Sequence, residues 1–265
     1  MPAALTTPRI LSVMPEPAPL LLKRLVEPPR PCSYLPAQQA SLEYQLLVGV
    51  GPAQWEAMLE RGWRRFGAAY FRPACAPCAA CVSLRLATAT FAPSRSQRRA
   101  LQKCAGLRGE VGPVRVDEQR LALYAAWHAD RERARQWEAF PLDQENYAAQ
   151  FGFPHPCARE VAYYDDHPPQ GGGPRLVGVG LCDETPRALS AIYFFYDPSY
   201  ADRSPGVFHV VNLARLARAA GKAHLYLGFR ISDCASMRYK AGFRPHELLI
   251  GRPGPDEAPR WERQP

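Results

Sequence analysis

The residue types best suited to chemistry in this chain are its cysteines. Cys75, Cys78 and Cys81 stand in C-x-x-C-x-x-C spacing with Cys32 upstream, while Cys104, Cys157, Cys182 and Cys234 are scattered. Thiolates are soft ligands, and sulfurs at this interval can turn toward one centre. Cys32, Cys75, Cys78 and Cys81 are therefore candidates to hold zinc or an iron–sulfur cluster. A ferredoxin-type run would place its next cysteine where Arg85 stands, which excludes that arrangement. The alternative is four reduced cysteines helping to pack a small N-terminal domain. The start of the chain lacks the clean apolar core of a secretion signal, so a reducing cytoplasm is the expected compartment.

Other catalytic signatures are missing. Gly178-x-Gly180 lacks a third glycine, the Gly171–Gly173 run has no Lys-Ser/Thr after it, and neither G-x-S-x-G nor H-E-x-x-H occurs. The six histidines show no ligand spacing. What remains is Tyr193-Phe194-Phe195-Tyr196-Asp197-Pro198, a strand end with Asp197 at its exit, and Asp233, Met237 and Lys240 at helical spacing. Core aromatics and a solvated Asp233/Lys240 pair are the alternative to a site.

Charge adds a partner. The 265 residues carry 33 Lys and Arg against 25 Asp and Glu, a net +8. From Arg61 to Gly109 there are ten basic residues and no acidic one, leaving 23 basic residues elsewhere to face all 25 acidic ones. So segregated an excess favours a polyanion, nucleic acid first, over a merely solvated basic face. A hydrophobic content of 47% excludes a mostly disordered chain, and no run of eighteen apolar residues is present to span a membrane.

These groups need elements to position them. The pattern from Gln39 to Arg61 predicts a helix in two pieces, broken at Gly49 and Gly51-Pro52. Short strands are expected at Ala68–Phe71 and Val82–Leu86, and Ser94 is a candidate cap for a helix bearing Arg95, Arg98, Arg99 and Lys103. Further helices are expected at Glu118–Gln136, Val207–Ala220 and Ser232–Ala241. Strands are expected at Arg159–Tyr164, Leu176–Leu181, Ala188–Tyr196 and His224–Phe229. The order predicts an α+β or α/β layer fold without repeats.

In series, the motifs resemble a known family. Pro31-Cys32-Ser33-Tyr34-Leu35-Pro36, Gly62-Trp63-Arg64-Arg65-Phe66-Gly67, Tyr70-x-x-Pro73-x-Cys75-x-x-Cys78-x-x-Cys81 and Phe91-x-Pro93-Ser94-Arg95-Ser96-Gln97-Arg98-Arg99 lead. Tyr196-Asp197-Pro198, Ser204-x-Gly206, Tyr226-Leu227-Gly228 and Met237-x-Tyr239-Lys240-x-x-Phe243-x-Pro245 follow. This order, over roughly residues 31 to 250, is similar to the bacterial aminoacyl-tRNA–protein transferases, short relatives of eukaryotic arginyltransferase whose best-known branch is aspartate/glutamate leucyltransferase. The chain departs from the family's usual pattern at Gly228-Phe229-Arg230-Ile231, at Ser204-Pro205-Gly206 and around Trp127-His128. Leu35 stands where eukaryotic relatives have a second cysteine.

The proline-rich ends are expected to form a flexible lead-in over 1–30 and a flexible tail over 251–265, and the resemblance implies a small Cys-bearing basic N-terminal domain over 31–113 and a GNAT-like (acetyltransferase-related) domain over 114–250. It implies transfer of an amino acid from aminoacyl-tRNA to proteins with N-terminal Asp or Glu, marking them for degradation by the N-degron route. Leucine is the favoured donor, with arginine as the alternative. The ester is already activated, so no cofactor is required for transfer. Tyr196, Asp197, Tyr239 and Lys240 are the candidate catalytic residues, and Arg230, Asp233, Ser204 and Gly206 the candidates for substrate binding. Arg230 and Lys240 suit an acidic acceptor side chain. Arg64, Arg65, Arg95, Arg98, Arg99 and Lys103 are candidates for tRNA contact. A non-catalytic, zinc-dependent nucleic-acid-binding protein, or a family member that keeps the fold without the activity, are the rival readings.

Overall fold

The computed structural model describes residues 16–135, 143–168 and 171–265. Strand β1 (Leu20–Val26) is followed by the short ladder strands β2 (Arg30–Pro31) and β3 (Gln39–Ala40), then β4 (Leu42–Val48) and helix α1 (Pro52–Glu60). Next come β5 (Arg64–Phe66), β6 (Ala69–Pro73), β7 (Val82–Ala87), α2 (Arg95–Lys103), β8 (Leu107–Gly112) and α3 (Glu118–Arg135). A short α4 (Gln144–Tyr147) runs into a π-helical turn, Ala148–Gly152, ahead of β9 (Ala158–Asp165), β10 (Arg175–Glu184) and β11 (Ala188–Tyr196). A 3₁₀ turn, Pro198–Arg203, leads to α5 (Pro205–Ala219) and β12 (His224–Arg230). The chain closes with α6 (Ala235–Arg238), a second 3₁₀ turn (Tyr239–Gly242), β13 (His246–Leu249) and β14 (Trp261–Gln264).

Two sheets carry these elements. The larger has eight strands in the order β14-β13-β7-β12-β11-β10-β9-β8, and the smaller has four in the order β1-β4-β6-β5. In the larger sheet β11 and β12 run parallel and every other neighbouring pair is antiparallel. Successive strand residues point to opposite faces, and the core divides accordingly. Val161, Leu225 and Leu84 pack with Val211, Leu213 and Ala214 of α5 on one face. Ala162, Val179 and Phe195 pack with Leu123 and Tyr124 of α3 and with Tyr147 and Phe151 on the other. Helix α2 packs beside α5. The fold is thus a mixed α and β arrangement around one large sheet.

Several sequence expectations change. Leu42–Val48 is a strand, because a short apolar run fits either period and this one finds partners on both sides, β1 and β6. Its buried Glu43 is held by Arg24 and Arg72. The boundary expected at residues 113 and 114 falls inside the large sheet, since β7 and β8 come from the earlier part of the chain. From Leu20 the expected lead-in is a paired strand, and the expected tail supplies β14, whose Trp261 packs on Tyr226 and donates to the Glu60 carbonyl at 3.2 Å. The first fifteen residues, and Gln136 at the end of one expected helix, lie outside the described residues.

Other expectations agree with the structure. The Ser94 hydroxyl accepts from Gln97 N at 3.3 Å and Gln97 reaches back to Ser94 N at 2.9 Å, a capping box that starts α2. Gly67, at φ +54°, turns the β5–β6 hairpin against the π-helical turn. A Cβ there would meet the Ala149 carbonyl at 2.3 Å, so no larger residue fits.

Candidate active site between β11 and β12

Strands β11 and β12 pair only over Ala188–Ser190 with His224–Tyr226, although β11 continues to Tyr196 and β12 to Arg230. Beyond Ser190 they part. Gly228, at φ +75°, lies where the β12–β7 register shifts, a bulge that bends β12 away. Arg64 reaches from β5 into the gap and donates to Ser190 Oγ at 2.8 Å and to the Ala191 carbonyl. A Cβ on Gly228 would come within 3.5 Å of Arg64 Nε, so the guanidinium lies directly against this glycine. Lys240 Nζ donates to the Phe229 carbonyl at 2.8 Å. Both main-chain oxygens lie where the parallel pairing has ended, and each is met by a cation. Burial, joined by the charge of Arg64, pushes the Lys240 ammonium down to about 7.

A cleft of about 920 Å³ opens on the α3 side of the sheet. Its apolar wall is Leu42, Phe66, Pro73, Tyr124, Phe151 and Tyr193, and its rim includes Arg30, Cys32, Tyr34, Cys75 and Cys81. The aromatic rings brace one another: Tyr124 lies edge-on to Phe151 at 5.9 Å and Phe151 stacks on Tyr193 at 5.6 Å. His128 hydrogen-bonds the Tyr193 hydroxyl through Nε2 at 3.2 Å, and burial lowers its pKa, favouring the neutral imidazole. No carboxylate lines the cleft among the described residues.

Cys32, Cys75 and Cys81 lie at this rim, and all four clustered cysteines, Cys78 included, are free thiols. Cys75 Sγ accepts from Ser41 N at 3.3 Å, and Arg252 holds the loop by donating to the carbonyls of Cys75 (2.8 Å) and Cys78 (2.5 Å). Burial, then the proximity of Cys75, Cys32 and Cys78, pushes the Cys81 thiol up to about 11. A metal site requires thiolates, and its charge would drive that pKa down. Among the described residues no group of three or more His, Cys, Asp or Glu converges closely enough to hold a metal ion. The side chains as placed do not fit the expected tetrathiolate.

The candidate catalytic and substrate-binding residues do not all meet. Tyr196 OH accepts from Arg131 at 2.9 Å and its ring packs on Trp127 at 4.3 Å, beside the His128 stretch of α3. Asp197 caps the 3₁₀ turn through Ser199 N (2.9 Å) and is ion-paired with Arg175, so its carboxylate is engaged rather than free to act as a base. Ser204, in the left-handed region at φ 59°, and Gly206 start α5 and do not line the cleft. Asp233 is exposed ahead of α6, which begins at Ala235, so the expected helical grouping of Asp233, Met237 and Lys240 does not form. Tyr239 is half exposed. Arg230 ends β12 with its buried Nε unpartnered.

The basic segment also divides. Arg65 is buried against Asp183, and Arg72, Arg85 and Arg108 pair with Glu43, Glu247 and Asp166, carboxylates from outside the segment. Arg65 is thereby withdrawn from the expected tRNA-contact group, while half-buried Arg64 is turned into the gap between β11 and β12. Arg95, Arg98, Arg99 and Lys103 are exposed on α2, across the sheet from the cleft.

Sequence reasoning missed the cleft wall. Tyr124 and His128 are four residues apart on α3, a spacing that shares one face, and Tyr193 and Phe195 share a strand face. That double aromatic periodicity was the available signal.

Residues 30–99 match the family model described as arginine-tRNA-protein transferase, N terminus, and residues 119–250 match the one for its C terminus. The chain belongs to this family. Among curated relatives, the aspartate/glutamate leucyltransferase of Helicobacter hepaticus is 32% identical over 232 residues, covering 87% of this chain and 93% of that one. That of Pseudoalteromonas atlantica is 36% identical, covering 83% and 91%, and that of Chromohalobacter salexigens is 35% identical, covering 89% and 90%. Among solved structures, FemX aligns with a TM-score of 0.47 at 9% identity over 78% of this chain and 80% of that one, a likeness too loose to bear on function. In this family member both family segments contribute to the cleft, through Cys32, Cys75 and Cys81 from the first and Tyr124, Phe151 and Tyr193 from the second.

Proposed function

We propose that this transferase moves leucine from charged tRNA to the α-amine of proteins that begin with Asp or Glu, acting in the cytoplasm on the N-degron route. Family membership supplies the reaction class. The composition of the cleft carries the choice of donor: its wall is aliphatic and aromatic and no described carboxylate lines it. A leucyl side chain buries apolar area there, whereas an arginyl guanidinium would be desolvated without a counter-charge.

The chemistry is aminolysis of an ester. The acceptor nitrogen forms a bond to the ester carbonyl carbon, the bond from that carbon to the ribose oxygen breaks, and the proton lost by nitrogen goes to that oxygen. The ester supplies the activation, so no cofactor enters. A free α-amine has a pKa of ~7.7–8.0, so a substantial fraction is already nucleophilic near neutrality. The enzyme then has to align the reactants and exclude water. His128 and Tyr193, hydrogen-bonded in the cleft wall, can carry the proton from nitrogen to oxygen. Helix α2 is the proposed tRNA backbone contact, its exposed Arg95, Arg98, Arg99 and Lys103 supplying the charge. Among the described residues no helix is long and apolar enough to cross a membrane.

The test is a transfer assay offering leucyl-tRNA and arginyl-tRNA to peptides beginning with Asp or Glu. Leucine transfer is expected. Arginine transfer at an equal rate would reject the donor assignment, and no transfer of either would favour a binding role.

A further inference from the structure

Two inward-turned cations share the gap between β11 and β12 without a carboxylate. Arg64 and Lys240 make no ion pair among the described residues, whereas Arg65, Arg72, Arg85 and Arg120 each meet an Asp or Glu. Arg64 bonds only a hydroxyl and a carbonyl, and Lys240 only a carbonyl. A guanidinium carries five N–H donors and an ammonium three, so both keep donors that no described group accepts. Both side chains are half-buried, and neighbouring cations drawn out of bulk water repel each other unless an anion joins them.

The surroundings say where that anion comes from. Lys240 lies within the electrostatic reach of Arg64, Cys81 and Cys234, and Tyr34 within that of Cys81, Cys234 and Cys32. Tyr34, Cys32 and Cys81 line the cleft, so the cation pair adjoins the wall of the chamber in which the ester is attacked. A carboxylate on a side chain of one or two methylenes is tied at short range to the amine that attacks. For the tRNA phosphates the exposed cations of α2, across the sheet, are the proposed contact. An arginine fork matches a carboxylate in two parallel bonds.

We propose that Arg64 and Lys240 together form the anion site that takes the acceptor's side-chain carboxylate and thereby sets the demand for Asp or Glu. The assignment rests on the transfer reading and adds the residues that read the acid. It moves Arg64 from tRNA contact to acceptor recognition.

The test separates the two claims. Binding of short peptides beginning with Asp or with Asn to the full chain, without tRNA, is measured by calorimetry for the unsubstituted protein, Lys240→Met and Arg64→Gln. Thermal melting confirms that each variant is folded. The unsubstituted protein is expected to bind the Asp peptide at least tenfold more tightly than the Asn peptide. Each folded variant is expected to lose most of that ratio, with the matching loss in transfer appearing in peptide KM rather than kcat. Lys240→Met alone decides the matter if Arg64→Gln does not fold. Equal binding of both peptides by the unsubstituted protein, or a ratio that survives in the variants, overturns the assignment. Acid-selective binding without any leucyl transfer would instead reject the transfer reading and leave the anion site standing.

Discussion

Arg65 on β5 and Asp183 on β10 lock the small sheet to the large one through an ion pair closed to water. Arg65 donates from Nε at 2.9 Å and also from Nη2, and Trp55 Nε1 adds a bond to the same carboxylate at 2.8 Å. The side chains are 4% and 0% exposed. Adjacent Arg64 is held in the gap by the same strand, so the lock also sets the position of the proposed anion site. Removing one partner strands a buried charge, which typically costs about 3–5 kcal/mol. Asp183→Ala is expected to lower the unfolding free energy by about that amount in a urea titration. A loss below about 1 kcal/mol would contradict the role.

Helix α2 leads to a prediction in salt. If Arg95, Arg98, Arg99 and Lys103 each meet a phosphate, the log–log slope of tRNA affinity against salt should flatten by ~0.7–0.9 per residue neutralised. Arg95→Gln with Arg99→Gln should flatten it by roughly twice that. Arg65→Gln, if folded, should leave the slope unchanged because its charge is paired inside. An unaltered slope in the α2 variant would remove this helix from the interface.

The pH dependence follows from Lys240. Its ammonium, facing Arg64 on β5, Cys81 before β7 and Cys234 before α6, is pushed down to about 7 from 10.5. Between those values the unfolded chain binds more protons than the folded one, so this group makes stability rise with pH across the window. Measured from pH 7 to pH 8.5, the unsubstituted protein should gain stability relative to Lys240→Met. Over the same range selectivity for Asp over Asn peptides should fall as the cation loses its charge. A constant difference between the proteins would show an ordinary, solvated lysine.

Legibility in the sequence followed how local each signal was. Ser94 and Gln97 announce α2 because a capping box is contained in four residues. The strand Ala188–Tyr196 and helix α5 are legible from period alone. Leu42, Leu46 and Leu47 fit one helix face, so period alone predicts a helix over Leu42–Val48. Only the pairing with β1 and β6, distant in sequence, makes it a strand. The basic segment misled for the same reason: Asp183, Glu43 and Glu247, far along the chain, neutralise arginines that look unopposed in sequence. Lys240 was legible as a site residue from its motif. Its meeting with Arg64 was not, because a gap between two strands at the far end of the chain creates it.

The most direct measurement of the central claim is single-turnover transfer from leucyl-tRNA and arginyl-tRNA to a peptide beginning with Asp and to its Asn counterpart. The account predicts fast leucyl transfer to the Asp peptide, at least tenfold slower transfer to the Asn peptide, and little arginyl transfer to either. Arginyl transfer equal to leucyl, or indifference to the acceptor's first side chain, would contradict it.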